Sequence, residues 1–272
     1  MKKIELLLLL VSTLSLSSFS QTKKTIQGKV IYRFSHIKDT TRPDIVYRED
    51  MMLFFSTEES KYESYSIHVS DSINEANMAK TGRIIAGKGT REQIFYNYLK
   101  GEQYSIIPWL GDTLLIKNII EKINWQISDS TKSIGGYNCQ KAEASFRGHQ
   151  YIAWFCPDIA VPSGPWKLQG LPGLILEAYD VKQTIGFSFA SFTNIKGANY
   201  IVMPANTKKV SSIEFAQMKE SLLRNPSGYI SSVINGADAA SGSGASSSFQ
   251  LKGPENRAKT AKKINNPLEP EQ

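Results

Sequence analysis

The chain has 272 residues, 32 of them basic and 25 acidic, a formal net charge of +7, and two cysteines. That length and a 41% apolar share suffice for a large self-supporting core, and they exclude both a disulfide-stapled miniprotein and a disordered chain. The basic excess is scattered, the pattern of a solvated surface and not of a nucleic-acid-binding stripe.

Residues 1–20 have the three parts of a secretory signal: Lys2 and Lys3, an apolar run over 6–16, then Ser18 and Ser20 at the −3 and −1 positions of a cut before Gln21. The run is too short to span a bilayer, for which roughly 20 apolar residues are needed. No cysteine follows it to carry lipid, and no later stretch is apolar enough to cross. The expectation is an exported protein, periplasmic, outer-membrane associated or extracellular, with no transmembrane segment after signal removal and no nucleic acid as partner.

From residue 25 the pattern is period-2. Strands are expected over 25–37, 46–57 and 61–67, then a polar surface excursion over 71–89 with a helical turn at 72–80. Further strands fall at 93–99, 103–107 and 113–117, with 118–128 carrying the sheet on to Trp125. Residues 137–146 and 149–156 form a hairpin turning at Arg147-Gly148. In that register Cys139 faces Cys156, and a disulfide between them is expected in an oxidising compartment. Strands at 174–179 and 184–192 pair around residues 180–183, and a last one spans 199–203. One helix is well signalled: Ser211 and Glu214 make a capping box, Ile213, Phe215, Met218 and Leu222 recur at helical spacing, and Pro226-Ser227-Gly228 stops it. The fold class is therefore mainly β, a curved or partly closed antiparallel sheet with one well-signalled α-helix packed on it. A single domain over 21–235 is followed by a flexible tail over 236–272, small-residue rich and then charged.

Between the hairpin and the last strand pair, four of the eleven prolines (Pro157, Pro162, Pro165, Pro172) and Gly164, Gly170 and Gly173 define an ordered loop. Leu171 precedes a proline and should be extended; Pro172 presets φ, and Gly173 is expected at positive φ in a type II turn. The string Gly170-Leu171-Pro172-Gly173-Leu174-Ile175 resembles the signature of the GLPGLI family of exported Bacteroidetes proteins. Trp125, residues 134–142, Ala153-Trp154-Phe155, Gly164-Pro165 and the terminal Asn266-Pro267-Leu268-Glu269 are also similar to that family's pattern. The resemblance implies an exported, strand-rich protein and carries no catalytic residue or cofactor.

Candidate chemistry is sparse. Residues 82–88 match most of a phosphate-binding loop, but Gly89 stands where its Ser or Thr belongs. His36, His68 and His149 lack metal-ligand spacing with one another or with cysteine, so neither a metal nor another cofactor is expected. Ser163, with His149 and Asp158 close in sequence, is the nearest approach to an acyl-transfer triad, and Glu177 with Asp180 to a carboxylate pair. Trp125, Trp154 and Trp166 are pocket candidates that equally suit a core. The leading expectation is a non-enzymatic envelope protein holding an apolar ligand or an outer-membrane partner. The alternatives are a secreted hydrolase using Ser163 or the Glu177/Asp180 carboxylates, and a structural component of an outer-membrane assembly.

Overall fold

The computed structural model describes residues 27–82, 85, 87–195, 201–241 and 265–269; the signal segment expected over 1–20 lies outside them. Twelve strands form one sheet: β1 (Gly28–His36), β2 (Tyr47–Phe55), β3 (Glu59–Ser64), β4 (Gln93–Asn97), β5 (Glu102–Trp109), β6 (Asp112–Ile119), β7 (Gln126–Ile134), β8 (Tyr137–Phe146), β9 (His149–Cys156), β10 (Leu174–Asp180), β11 (Ile185–Asn194) and β12 (Lys208–Val210). Their order is β12-β6-β5-β4-β3-β2-β1-β11-β10-β9-β8-β7. Two meanders are thus joined where β1 pairs antiparallel with β11. The sheet is mixed at one edge, because β12 pairs parallel with β6. The strand expected at 199–203 lies partly outside the described residues, and 201–203 are not strand.

The connection from β6 to β7 dictates the shape. Ten inter-strand steps separate the two, about 48 Å in a flat sheet at ~4.8 Å per step. Residues 120–125 join them, and a chain from Ile119 to Gln126 reaches at most about 25 Å. A flat sheet is therefore impossible, and the observed one curls without closing. This connection was expected to be strand; it is the link that the curl makes possible.

One face of the curl holds the main core. Val30, Tyr32 and Phe34 of β1, Met51, Leu53 and Phe55 of β2, Tyr96 of β4, Phe146 of β8, Phe155 of β9 and Phe187 of β11 belong to a single buried cluster. Their alternation along each strand is the period-2 pattern of a sheet with one face packed. Three tight hairpins set the register: Leu110-Gly111, Gly135-Gly136 and Arg147-Gly148 all have positive φ, the conformation a two-residue turn needs to follow the sheet twist.

Three helices accompany the sheet: α1 (Tyr65–Thr81), α2 (Ser212–Arg224) and α3 (Pro226–Ser241). The strand expected over 61–67 stops at Ser64, whose Oγ accepts from the Ile67 amide as N-cap, and Gly82 ends α1 in the left-handed conformation. The excursion over 71–89 is largely this helix. The capping box of α2 is present as expected, and α2 lies against the β5–β6 edge of the sheet with none of its residues buried. Its Phe215 meets Trp109 edge-on at 5.3 Å. Pro226 opens α3 instead of only stopping α2, because proline at the first helical position gives up an amide that has no partner there anyway.

The expected disulfide is absent. The β8–β9 ladder runs from Gln140↔Phe155 to Phe146↔His149 about the expected turn, so the register is right. The ladder begins one residue inside the cysteine pair, while on their other edges Cys139 pairs with Lys132 of β7 and Cys156 with Leu174 of β10. Both thiols are free and buried. Burial first, then the neighbouring Cys156, pushes the Cys139 thiol up to about 11, which keeps it protonated and a poor partner for thiol exchange.

Candidate functional site

The loop over 157–173 fills the curl. Ser163 and Leu168 are fully buried, and Val161, Trp166 and Leu171 join the same core cluster as the strands. It leaves β9 at one end of the sheet and reaches the other, where Trp166 packs edge-on against Phe146 beside the β8–β9 turn. On the return its two arms bond to each other and to β10: Gly170 N donates to Pro162 O, Leu174 N to Ile159 O and Ile175 N to Ser163 O, at 2.9–3.1 Å. Side chains then tie it to distant strands. Tyr98 OH lies 2.8 Å from Ser163 Oγ and 2.9 Å from Ser60 Oγ; Trp125 Nε1 donates to Gln169 O at 2.9 Å, and Gln169 Nε2 to Glu121 O at 2.8 Å. The loop is thereby bonded to the residue after β4, through it to β3, and to the connection over 120–125.

Its glycines answer to crowding. Gly173 does not have positive φ; the type II turn expected at Leu171-Pro172-Gly173 is not formed. A Cβ on Gly173 would stand 2.3 Å from Cys156 O, and one on Gly164 2.5 Å from Leu168 O, so both mark close backbone approach. Positive φ falls instead on Gly170 at 90° and on Trp166 at 55°. A left-handed tryptophan is strained, and its burial against Phe146 holds it there. A β-bulge between Ile175 and Glu177 leaves the Ile175 carbonyl to accept from Tyr32 OH at 2.7 Å.

The triad candidates are not assembled. Ser163 Oγ is bonded to Tyr98, whose phenol burial pushes up to about 12, while His149 Nε2 meets Pro267 O at 2.9 Å and Asp158 is exposed beside a groove at the start of β1. Nor do Glu177 and Asp180 act as a pair. Glu177 takes Lys132 Nζ at 2.6 Å; Asp180 accepts the Thr184 and Ile185 amides at 2.6 and 2.7 Å, which fixes the β10–β11 turn. Part of the glycine stretch over 82–88 lies outside the described residues, and among those described no cluster of His, Cys, Asp and Glu is arranged to hold a metal.

The three tryptophans go to separate places. Trp166 is core, Trp125 clamps the loop, and Trp154 lies under Lys132 Nζ at 4.4 Å from its ring centre. They line neither of the two described surface grooves. One groove, about 430 Å³, is bounded by Gln27, Phe55, Asp158, Ile159, Phe192 and Asn194. The other, about 390 Å³, runs between α1 and the outer sheet face, walled by Met52, Val69, Ile73 and Ala76 with Lys29, Tyr65, His68 and Ser72. Under its polar end lies a buried carboxylate. Glu63 accepts His68 Nδ1 at 2.9 Å, Lys61 Nζ at 2.8 Å and Gln93 Nε2 at 2.8 Å. Burial alone would raise its pKa, but the bonds from His68 and Lys61 outweigh it and hold the carboxyl below the usual range. A carboxylate only accepts, so Nδ1 of His68 is the donor. Sequence reasoning missed this arrangement because β3, β4 and α1 bring its members together and no local spacing announces it.

Comparison with known proteins adds a local profile match and a fold. Residues 146–177 match the profile of a Bacteroidetes-associated family described as a protein of unknown function (Porph_ging). The match covers the β8–β9 turn, β9, the loop and the start of β10. No curated protein matches the chain. The solved structures of PNGF-II in its P21 and C2 crystal forms are similar in fold, with TM-scores of 0.55 and 0.53 and 14% sequence identity over 71% of this chain. The aligned region amounts to 33% and 32% of the PNGF-II chain, about a third of its length.

Proposed function

We propose that this is a GLPGLI-type exported envelope protein without catalytic function, which binds an amphiphile, an apolar chain with an anionic head, on the outer face of its sheet. The filled curl carries this reading: the loop occupies the place where a curved sheet would otherwise enclose a ligand, which leaves the surface grooves to do the binding. The α1 groove has the matching chemistry. Met52, Val69, Ile73 and Ala76 supply apolar walls, and Lys29 and the Tyr65 hydroxyl supply donors for an anionic head with no acidic side chain among the lining residues. Among the described residues no helix is long and apolar enough to cross a membrane, so binding at an envelope surface would rest on such contacts or on a partner.

The test is lipid extraction and mass spectrometry on the full chain purified from its native envelope, beside a Val69→Glu variant. A co-purifying anionic amphiphile that the variant loses is the expected result. Ligand-free protein in both preparations contradicts the reading.

A further inference from the structure

The C-terminal residues were expected to be a flexible tail, yet 265–269 are docked on the sheet. They lie at the end where β1 and β8 finish and β9 and β11 begin, on the turn opposite the start of the loop. Asn265 and Asn266 donate their amides to Lys38 O at 3.1 and 3.2 Å. Asn266 Nδ2 donates to Ile37 O and to Thr184 Oγ1, both at 2.9 Å. Two imidazoles read the main chain: His36 Nε2 lies 2.7 Å from Asn266 O and His149 Nε2 2.9 Å from Pro267 O. A carbonyl only accepts, so both rings carry their proton on Nε2. Leu268 packs against the main core cluster. Glu269 is held between Arg147, at 3.1 Å, and Lys167 of the loop. Arg147 also pairs with Glu121 at 2.6 Å, which orients it.

Each residue of the segment is met by a different chemistry: an amide by amide partners, two carbonyls by imidazoles, an apolar side chain by the core, a carboxylate by two cations. Side chains of β1, the β8–β9 turn, the β10–β11 turn and the loop converge on it. The ligand is also preorganised, since Asn266 precedes a proline and is restricted to extended conformations. Such a cleft recognises the segment by its own residues. We propose that it is a peptide-recognition site for an extended Asn-Pro-Leu-Glu segment, with the chain's own residues 266–269 as its resident ligand. A partner that presents the same pattern would displace the tail. Because Lys167 belongs to the loop over 157–173, the signature-bearing loop then serves recognition at its tip while its arms fill the core.

The test uses the full chain and a fluorescent hexapeptide copying residues 265–270. In wild type the tethered tail competes at an effective concentration on the order of millimolar; in Leu268→Ala/Glu269→Ala the cleft is vacated. The peptide should bind the double variant at least tenfold tighter than wild type, and a Glu→Gln peptide, or Lys167→Ala added to the variant, should lose about tenfold. Equal affinity for wild type and variant, or indifference to the glutamate, overturns the proposal. Should the double variant not fold, wild type decides: millimolar peptide must remove the hydrogen-exchange protection of the Asn265 and Asn266 amides, and unchanged protection overturns it.

Discussion

At Gly173 the absent side chain faces the Cys156 carbonyl 2.3 Å away. Gly173→Ala should therefore cost about 3 kcal/mol or more by forcing two backbone segments apart. Gly170, open around its Cβ position but at φ 90°, should cost only about 1–2 kcal/mol as alanine. Calorimetry on both variants checks the ranking, and equal losses would mean that crowding is not what selects glycine at 173. Ser163 supplies a second residue-scale expectation. Removing its hydroxyl leaves Tyr98 with Ser60 alone, so Ser163→Ala should lose about 1 kcal/mol, and wild type should resist a serine-reactive phosphonate. Labelling at Ser163 would restore the hydrolase reading. The loop's order was legible from its prolines and glycines, but the reason for each glycine was not. Positive φ and close approach select the same residue type, and only the distance to Cys156 separates them.

Among the elements, hairpins were the most legible, since Arg147-Gly148 and the alternation on either side of it fix a register that the ladder reproduces. Helix α1 was obscured by Tyr65 and Ile67, which extend the strand-like apolar run although they are offset from Tyr62, and by the absence of an acidic residue in its first turn. The docking of 265–269 leaves almost no local trace, because His36 and His149 address main-chain carbonyls that any residue could supply. That contact carries a pH dependence. Burial holds the His36 imidazole below its ordinary value of 6.5, against the opposing bond to Asn266; Lys38 and His149 lower it further and Asp180 raises it. Below pH 6.5 the unfolded chain then binds more protons than the native one. Stability is full above 6.5 and is lost as pH falls toward the depressed folded value. Urea midpoints at pH 7.5 and 5 should differ more in wild type than in His36→Gln, and an equal difference would remove His36 from the cause.

For the whole molecule, the order of the strands and a six-residue connection require a curled sheet, and the loop over 157–173 makes that curl a core instead of a container. The mainly β class was legible from periodicity. The parallel pairing of β12 was not, since Lys208–Val210 is defined by the free edge of β6 and not by a pattern of its own. A folding core and a mobile lid differ in how their amides open: core amides exchange only through global unfolding, lid amides through local motion. Native-state hydrogen exchange at Gly170, Leu174 and Ile175, whose amides bond the loop's arms to each other and to β10, is the most direct test. Opening free energies for these amides equal to those of Tyr32 and Phe187 in the central strands are expected. Exchange at a small fraction of that free energy would show that the loop opens by itself, and the account of the loop as architecture would be wrong.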